Sequence, residues 1–464
     1  MTGSDICWLS ATDLAEAIRR KEVSPVETVR CVLERIDAIN PKINAYVTIT
    51  ADAAMAEAKR AEEAVMRGNE LGPLHGVPVS IKDLILTKGV RTTMGSKLYQ
   101  DFVPDEDAVL VTRLKEAGAI VLGKTNTPEF GLKMLTDNLV FGPTRNPWHL
   151  DFSPGGSSGG AAAAVATGLG PLAAGNDGGG SIRIPSSCCG VFGIKPQFGR
   201  VARYPALHGG DIVTHEGPIA RTVRDAAVML DIMAGPHWGD IYSIPRHEGS
   251  FTDGLGLGVK GLRVAWSPDL GRADVDPEVA EICLKAAKVF EELGADMDEA
   301  HPNFGNYESP HSIVFVADHL AVFSKFGAPE EIAKDLDPLT ATILFVGTSL
   351  KATDYVDAMF ARQDLAAESG RFFQEYDLLV TPTLAAPPPP LDYSDPAGFL
   401  RWLPFITVFN LTGQPAASVP AGWTGERLPV GLQIVGRPCD EATVLRAAAA
   451  YEAASPWTER KPAL

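Results

Sequence analysis

Short apolar runs alternate with helical patterns along most of this 464-residue chain. From Leu74 onward the apolar runs read VPVSI, AIVLG, LRVAW, DLLVTP, PAASVP and GLQIVG, and segments of helical character separate them. This alternation is typical of strands that pair in one sheet while helices pack against its faces. The sequence therefore predicts the α/β fold class.

The first seventy residues differ from the rest because they carry helical signals only. Ser24, Pro25 and Glu27 form a capping box with proline at the first helical position, and apolar residues then recur at helical spacing. A second helix, rich in alanine and glutamate, is predicted from about Ala51 to Gly68. We expect residues 1–70 to form a helical N-terminal segment.

Chain length sets only a soft limit on the number of domains. A chain of 464 residues with 45% hydrophobic content can bury a large core, and length alone would allow about three domains. The stretch from Gly235 to Gly261 predicts a surface excursion, yet a strand-like run resumes directly after it. We therefore expect one continuous domain over residues 1–464.

Composition narrows the classes of partner. The net charge of -17, from 41 basic and 58 acidic residues, argues against nucleic acid as a partner. The most apolar stretch, residues 161–175, is broken by two glycines and Pro171 and falls short of a membrane span. The N-terminus has no basic start followed by an apolar run, as a signal peptide would. We expect a soluble, cytoplasmic protein with no membrane partner.

Cysteine and glycine patterns give no evidence for a metal or a cofactor. Six cysteines are too few in so long a chain for a disulfide framework, and no CxxC spacing suggests zinc. A G-x-G-x-x-G pattern spans residues 256–261, but the strand-like LRVAW follows it instead of preceding it. That is the wrong context for a dinucleotide site. We expect neither a metal nor a cofactor.

Three motifs each contain a residue suited to nucleophilic catalysis. Lys82 lies in GVPVSIKDLI, Ser157 in SPGGSSGGAAAAVATG and Ser181 in GNDGGGSIRIPSSCCG. A serine hydroxyl is a weak nucleophile unless a base takes its proton. A lysine acts as a base only when burial or neighbours lower its pKa from the usual value of about 10.4. Together the motifs favour a hydrolase that activates serine through lysine.

The three glycines directly before Ser181 have two interpretations. Gly178, Gly179 and Gly180 offer consecutive backbone N–H groups without side chains, which suits an oxyanion hole. A tight turn between a strand and a helix would use the same residues.

A rival interpretation makes Ser157 the nucleophile. Gly155, Ser157 and Gly159 match the G-x-S-x-G nucleophile elbow. An α/β-hydrolase-like esterase of this kind would need one of the nine histidines as its base. The elbow motif alone does not separate this alternative from the lysine-dependent one.

Taken together, eight segments resemble the amidase signature family. They are GVPVSIKD, GKTNTPEF, FGPTRNPW, SPGGSSGG, GNDGGGSIRIP, CGVFGIKP, FNLTGQPAASVPAG and LPVGLQIVGRP. The separations of 75 residues from Lys82 to Ser157 and 24 residues from Ser157 to Ser181 also fit the family's catalytic core. The resemblance implies a large twisted mixed β-sheet flanked by helices on both faces.

The resemblance also implies roles for the residues of these motifs. Ser181 corresponds to the acylated nucleophile, Ser157 to a bridging serine that follows a cis peptide bond, and Lys82 to the base. The family's oxyanion hole corresponds to the backbone of Gly178, Gly179 and Gly180.

Three further residues are expected to support the site. Asp177 and Arg183 flank the nucleophile at family positions, and we interpret them as a structural pair that orients the loop. Ser158 is expected to give hydrogen-bonding support. Residues of about 300–400 are expected to form the variable substrate-binding region.

The resemblance leaves two amide-related functions open. The A-type component of the glutamyl-tRNA(Gln) amidotransferase carries an arginine-rich segment ahead of its C-terminal strands. The comparable stretch here, ILFVGTSLKATDYVDAMFARQ, lacks a matching arginine pair, which favours a stand-alone amidase over an A-type subunit that works in a complex.

The substrate is expected to be a small molecule. Apolar and aromatic residues in that stretch and in GFLRWLPF predict an uncharged acyl or aryl group. We expect hydrolysis of a linear aryl or alkyl amide, with ester or carbamate bonds also cleaved. We expect a monomer or homodimer.

Overall fold

Eleven strands form one mixed β-sheet in the computed structural model, which describes residues 3–206, 212–395 and 398–464. The strands are β1 (Tyr46–Ile49), β2 (Pro78–Lys82), β3 (Ile120–Thr125), β4 (Leu172–Asp177), β5 (Phe192–Lys195), β6 (His215–Ala220), β7 (Arg263–Trp266), β8 (Asp296–Glu299), β9 (Leu378–Pro382), β10 (Ala416–Trp423) and β11 (Pro429–Gly436). Their order across the sheet is β1-β3-β2-β4-β6-β5-β10-β11-β9-β7-β8.

Parallel and antiparallel pairs occupy different parts of this sheet. Strand β2 is parallel to both β3 and β4, and β7 is parallel to both β8 and β9. The central pairs from β4 to β9 are antiparallel. The sheet is therefore mixed, with parallel ladders on either side of an antiparallel centre.

Fifteen α-helices accompany the sheet in the described ranges. They are α1 (Gly3–Trp8), α2 (Ala11–Arg19), α3 (Pro25–Ile43), α4 (Ala51–Arg67), α5 (Val109–Glu116), α6 (Gly159–Ala166), α7 (Arg183–Cys189), α8 (Val223–Met233), α9 (Pro277–Glu292), α10 (Glu308–Phe323), α11 (Pro329–Ile332), α12 (Pro338–Gly347), α13 (Ala352–Glu375), α14 (Val408–Thr412) and α15 (Glu441–Ala454). None of the helices described is both long enough and apolar enough to cross a bilayer.

Helices cover both faces of the sheet, so its strands are buried on both sides. In β4, Leu172 and Ala174 join the core that includes α5, α8 and α15, whereas Ala173 joins the core beneath α3 and α6. Every residue of β2 and of β11 is buried. The predicted fold, a large mixed sheet with helices on both faces, is confirmed.

The N-terminal segment is helical with one exception. Helix α3 begins at Pro25, and the Ser24 side chain accepts a hydrogen bond from the Glu27 backbone N–H, as the capping pattern predicts. The expectation of helices alone is wrong at Tyr46–Ile49, which forms β1 and pairs antiparallel with β3. The Tyr46 hydroxyl donates to the Leu169 carbonyl at 2.7 Å, so a tertiary contact supports this four-residue strand.

Two other stretches connect strands of the sheet. Helices α10 to α13 fill most of the stretch between β8 and β9. Residues 235–261 contain no helix or strand, as expected of a surface excursion. Strands β7 and β9 resume beside the rest of the sheet, so the excursion does not separate two sheets.

Helix α6 lies unusually close to its neighbours because it contains glycine. A Cβ atom at Gly160 would lie 2.4 Å from the Asn126 backbone nitrogen and 2.6 Å from the Ala45 carbonyl oxygen. Gly370, in the exposed part of α13, has no atom within 4 Å of the same position. The two helical glycines therefore differ in the space available for a side chain, although both have the low helix propensity of glycine.

This difference predicts opposite effects of one substitution. Gly370→Ala should raise the free energy of unfolding by up to about 1 kcal/mol, because alanine is the better helix former. Gly160→Ala should lower it by about 1–3 kcal/mol, because the new methyl group must displace backbone atoms. Denaturant unfolding of both variants measures the effect. A stabilised Gly160→Ala variant would contradict the close approach of α6.

Candidate active site

Lys82 is the last residue of β2 and is buried completely. Its Nζ donates hydrogen bonds to Ser157 Oγ at 2.7 Å and to Asn176 Oδ1 at 2.6 Å. Burial lowers the pKa of Lys82 from 10.5 to about 7, although the negative charges of Glu216 and Asp177 oppose this effect. A substantial fraction of Lys82 is therefore neutral near pH 7.

Ser157 and Ser158 connect this lysine to Ser181. The Gly156–Ser157 peptide is cis, in agreement with the resemblance, and the Ser157 side chain contacts Lys82. The next residue, Ser158, donates its backbone N–H to the Ser181 carbonyl at 3.1 Å and its hydroxyl to the Asn176 carbonyl at 3.2 Å. The structure thus brings the predicted support residue Ser158 against the backbone of Ser181.

The three glycines form the loop between β4 and α7. At Gly180, φ is +104°, and a Cβ atom there would lie 2.3 Å from Ile406 Cγ2. At Gly178, a Cβ atom would lie 2.6 Å from Thr214 Oγ1. Gly180 therefore requires glycine for its backbone conformation, and a side chain at Gly178 would displace the Thr214 side chain.

One of the three expected oxyanion donors is already in use. The Gly180 N–H donates to Asp177 Oδ1 at 2.7 Å. The expectation was that all three glycines supply donors. The Asp177 side chain, at the start of the loop, instead accepts the N–H of Gly180 at the end of the loop. Only the backbone N–H groups of Gly178 and Gly179 therefore remain as candidate donors of the oxyanion hole.

The predicted pairing of Asp177 with Arg183 is present and fully buried. Arg183 Nη2 lies 2.9 Å from Asp177 Oδ1, and its Nε lies 3.0 Å from Oδ2. Burial alone would raise the pKa of Asp177, but the Arg183 guanidinium outweighs it and holds that pKa well below its ordinary value. Arg183 also donates to Asn410 Oδ1 at 2.6 Å and to Gln433 Oε1 at 2.8 Å.

Ser181 is partly exposed and borders two cavities. The smaller, of about 50 Å³, is also lined by Ser157, Asn176 and Glu216. The larger, of about 360 Å³, is mostly apolar. Its wall includes Phe315, Val316, Leu339, Ile343, Phe399 and Leu403. Ser181 thus borders a small cavity that polar side chains line in part and a larger, mostly apolar cavity.

The histidines near the loop contact backbone carbonyls. His311 Nε2 lies 2.7 Å from the Gly178 carbonyl oxygen, and His215 Nδ1 lies 2.8 Å from that of Val213. Burial lowers the pKa of His215 well below its ordinary value. The titratable side chain that contacts Ser157 Oγ is Lys82, so the geometry does not favour the elbow interpretation with a histidine partner.

Three polar residues of the site lie outside the positions that the motifs predict. Asn176 and Glu216 lie directly opposite each other on β4 and β6, so their side chains share one face of the sheet. Asn176 precedes Asp177 in the glycine-rich motif, and this position was the only available signal. Glu216 and His311 lie outside the motifs that were interpreted chemically.

The donor sets at the site do not suggest a metal. Among the residues that the structure describes, no three His, Cys, Asp or Glu side chains are grouped as a metal site would require. The polar groups around Lys82 are a serine hydroxyl and an amide oxygen. This arrangement suits proton transfer between side chains.

Comparisons with known proteins agree with this geometry. The Amidase family model matches residues 27–445. An acylamidase from Rhodococcus erythropolis is 45% identical, covering 100% of this chain and 99% of the relative. The crystal structure of a bacterial aryl acylamidase superposes with a TM-score of 0.91 at 32% identity, covering 97% of each chain. The native peptide amidase from Stenotrophomonas maltophilia superposes with a TM-score of 0.87 at 28% identity, covering 98% of each chain.

The sheet, the buried lysine and these matches define a hydrolase that acts on the carbon–nitrogen bonds of amides. The chain belongs to the amidase signature family. The family match favours this class of enzyme over the α/β-hydrolase alternative.

The lowered pKa of Lys82 predicts how stability changes with pH. Between pH 7 and 10.5 the unfolded chain holds a proton on Lys82 that the folded chain lacks, so raising the pH favours folding. The free energy of unfolding should rise by up to about 1.4 kcal/mol per pH unit relative to Lys82→Met. Denaturant unfolding of both proteins at about pH 7.5 and pH 9 tests this. Identical pH dependence would show that Lys82 stays charged.

Proposed function

We propose that the protein hydrolyses linear amides through a covalent acyl-enzyme on Ser181. The observation that carries the proposal is the 2.7 Å hydrogen bond between the buried Lys82 Nζ and Ser157 Oγ. It connects a lysine with a pKa of about 7 to a serine that shares a cavity with Ser181. A neutral lysine in this position is a base within reach of the nucleophile through one hydroxyl.

The proposed reaction has two stages. Ser181 Oγ attacks the amide carbonyl while its proton passes to Ser157 and the Ser157 proton passes to Lys82. Backbone N–H groups of Gly178 and Gly179 stabilise the oxyanion. Lys82 then returns a proton through Ser157 to the leaving amine as the C–N bond breaks, and water repeats the cycle on the acyl-enzyme.

The larger cavity supports an uncharged acyl or aryl group as the substrate. Lys133 lines this cavity, but its Nζ lies 2.9 Å from both Asp137 and Asp337, so its charge is paired within the protein. The remaining wall is mostly apolar. The names of the acylamidase and aryl acylamidase relatives fit the same class of substrate. We extend the proposal to esters and carbamates, which share the tetrahedral step.

Arg362 bears on the alternative of an amidotransferase component. It is the single arginine in ILFVGTSLKATDYVDAMFARQ, the stretch that corresponds to the arginine-rich segment of the amidotransferase component. Its Nε donates to the Leu411 carbonyl at 2.7 Å. It borders a separate surface groove and neither of the cavities at Ser181. This placement supports a stand-alone enzyme, which we propose is a cytoplasmic monomer or homodimer.

We also propose that residues 1–464 act as one domain, with residues of about 300–400 as the variable substrate-binding region.

Acylation of Ser181 is the first test. Among anilides, aliphatic amides, esters and carbamates, mass spectrometry should find an acyl adduct on Ser181 with at least one apolar substrate. Ser181→Ala should lower kcat by about 10³-fold or more, because the nucleophile is lost. Ser324→Ala, at an exposed position on the same chain, is the control and should leave kcat unchanged. If Ser181→Ala kept full turnover while Ser157→Ala lost it, Ser157 would be the nucleophile.

The pH dependence of the rate tests Lys82. Because the reaction needs neutral Lys82, kcat/KM should rise as the pH increases through about 7. Lys82→Arg keeps a positive charge that does not titrate in this range and should lower kcat by at least about 10³-fold. Lys82→Arg with wild-type activity and the same rising limb would refute the assignment.

A further inference from the structure

Side chains hold three consecutive peptide groups of the glycine loop before Ser181. Asn410 Nδ2 donates to the Asp177 carbonyl at 2.8 Å, and His311 Nε2 donates to the Gly178 carbonyl at 2.7 Å. The third contact is the Gly180 N–H with Asp177 Oδ1. Glycine has wide backbone freedom, so external contacts must fix the direction of each peptide group.

The hydrogen bond from His311 to the Gly178 carbonyl comes from a different part of the chain than the other two contacts. His311 lies in α10, outside the eight segments that resemble the family, whereas Asp177 and Asn410 lie within two of them. The His311 side chain is buried, and its ring stacks on Phe315 with the centroids 5.6 Å apart and the planes at 19°. A carbonyl oxygen only accepts hydrogen bonds, so Nε2 must carry the hydrogen.

Fixing a carbonyl also fixes the N–H group of the same peptide. The Gly178–Gly179 peptide is trans, since the cis bonds of the described chain lie elsewhere, and a planar trans peptide directs its C=O and N–H to opposite sides. A hydrogen bond to the Gly178 carbonyl therefore sets the direction of the Gly179 N–H. It also polarises that amide and makes its N–H a better donor.

We propose that His311 is a positioning residue that holds the Gly179 N–H toward the oxyanion formed at Ser181. The inference rests on the proposed function, because it requires the nucleophile and the oxyanion donors assigned above. Gly179, Ser181 and His311 border the same 360 Å³ cavity. A Cβ atom at Gly179 would lie 3.1 Å from His311 Cε1, so the ring and the loop are in direct contact.

This placement couples the choice of acyl group to the rate of the chemical step. His311 and Phe315 form part of the wall that receives the acyl group. An acyl group that displaces the stacked rings would also move the contact between His311 and Gly178. Substrates that fit the wall poorly should then lose kcat as well as affinity.

Two substitutions at one position test the role. His311→Phe keeps a ring but removes the donor, whereas the side-chain amide of His311→Gln offers an N–H at a similar distance from the backbone. His311→Phe should lower kcat about 10- to 100-fold with KM changed less than about threefold, because the lost contact affects the transition state. His311→Gln should restore most of kcat. His301→Phe, at an exposed position outside the two cavities, should leave kcat unchanged.

A second measurement separates positioning from general loss of structure. A trifluoromethyl ketone adds to serine and places an oxyanion in the site, so its affinity should fall in His311→Phe by about the same factor as kcat. The affinity of the matching carboxylic acid product should change little. Equal losses of kcat and melting temperature in His311→Phe and His311→Gln, or wild-type kcat in His311→Phe, would overturn the inference.

The same experiment distinguishes this inference from the proposed function. If the wild-type enzyme forms the acyl adduct on Ser181 and His311→Phe forms it at the same rate, only the role of His311 is wrong. If the wild-type enzyme forms no adduct on Ser181 with any substrate of the panel, the proposed function fails, and the role of His311 fails with it.

Discussion

The buried ion pair between Asp177 and Arg183 determines the geometry around Ser181. Two charges without exposure to water are costly unless every polar atom finds a partner. Asp177 meets this requirement with the guanidinium and the Gly180 N–H, and Arg183 meets it with Asn410 and Gln433. These contacts join β4, α7, α14 and β11 around one point. Ser181 lies on the short loop that the pair closes, so its position follows from these contacts.

Lys82 lies near this ion pair, but its surroundings differ from those of Arg183. Arg183 contacts a carboxylate directly, whereas Lys82 contacts the neutral side chains of Ser157 and Asn176. The carboxylates of Glu216 and Asp177 raise the pKa of Lys82 only in part, and burial remains the larger effect. The site therefore holds one cation that keeps the loop in place and one lysine that can exchange a proton near neutral pH.

The sequence predicted those features that leave a local pattern. The strands β2, β3, β7, β9, β10 and β11 follow apolar runs, and the motifs pointed to Lys82, Ser157 and Ser181. Strand β4 was missed because its residues, LAAGND, are small and show no alternation of apolar and polar side chains. The contacts of Glu216 and His311 were missed because they depend on which distant elements pack together. No local pattern records the pairing of β4 with β6 or the approach of α10 to Gly178.

The position of β10 and β11 in the sheet determines when, during synthesis of the chain, the active site can form. These strands come late in the chain but lie between β5 and β9, and the anchors Asn410 and Gln433 belong to α14 and β11. A ribosome-bound chain that ends before them has its lysine and both serines but lacks two partners of Arg183. Such a chain cannot complete the sheet, because β10 and β11 are the strands that connect β5 to β9. Hydrolytic capacity therefore arises only after β11 has been synthesised.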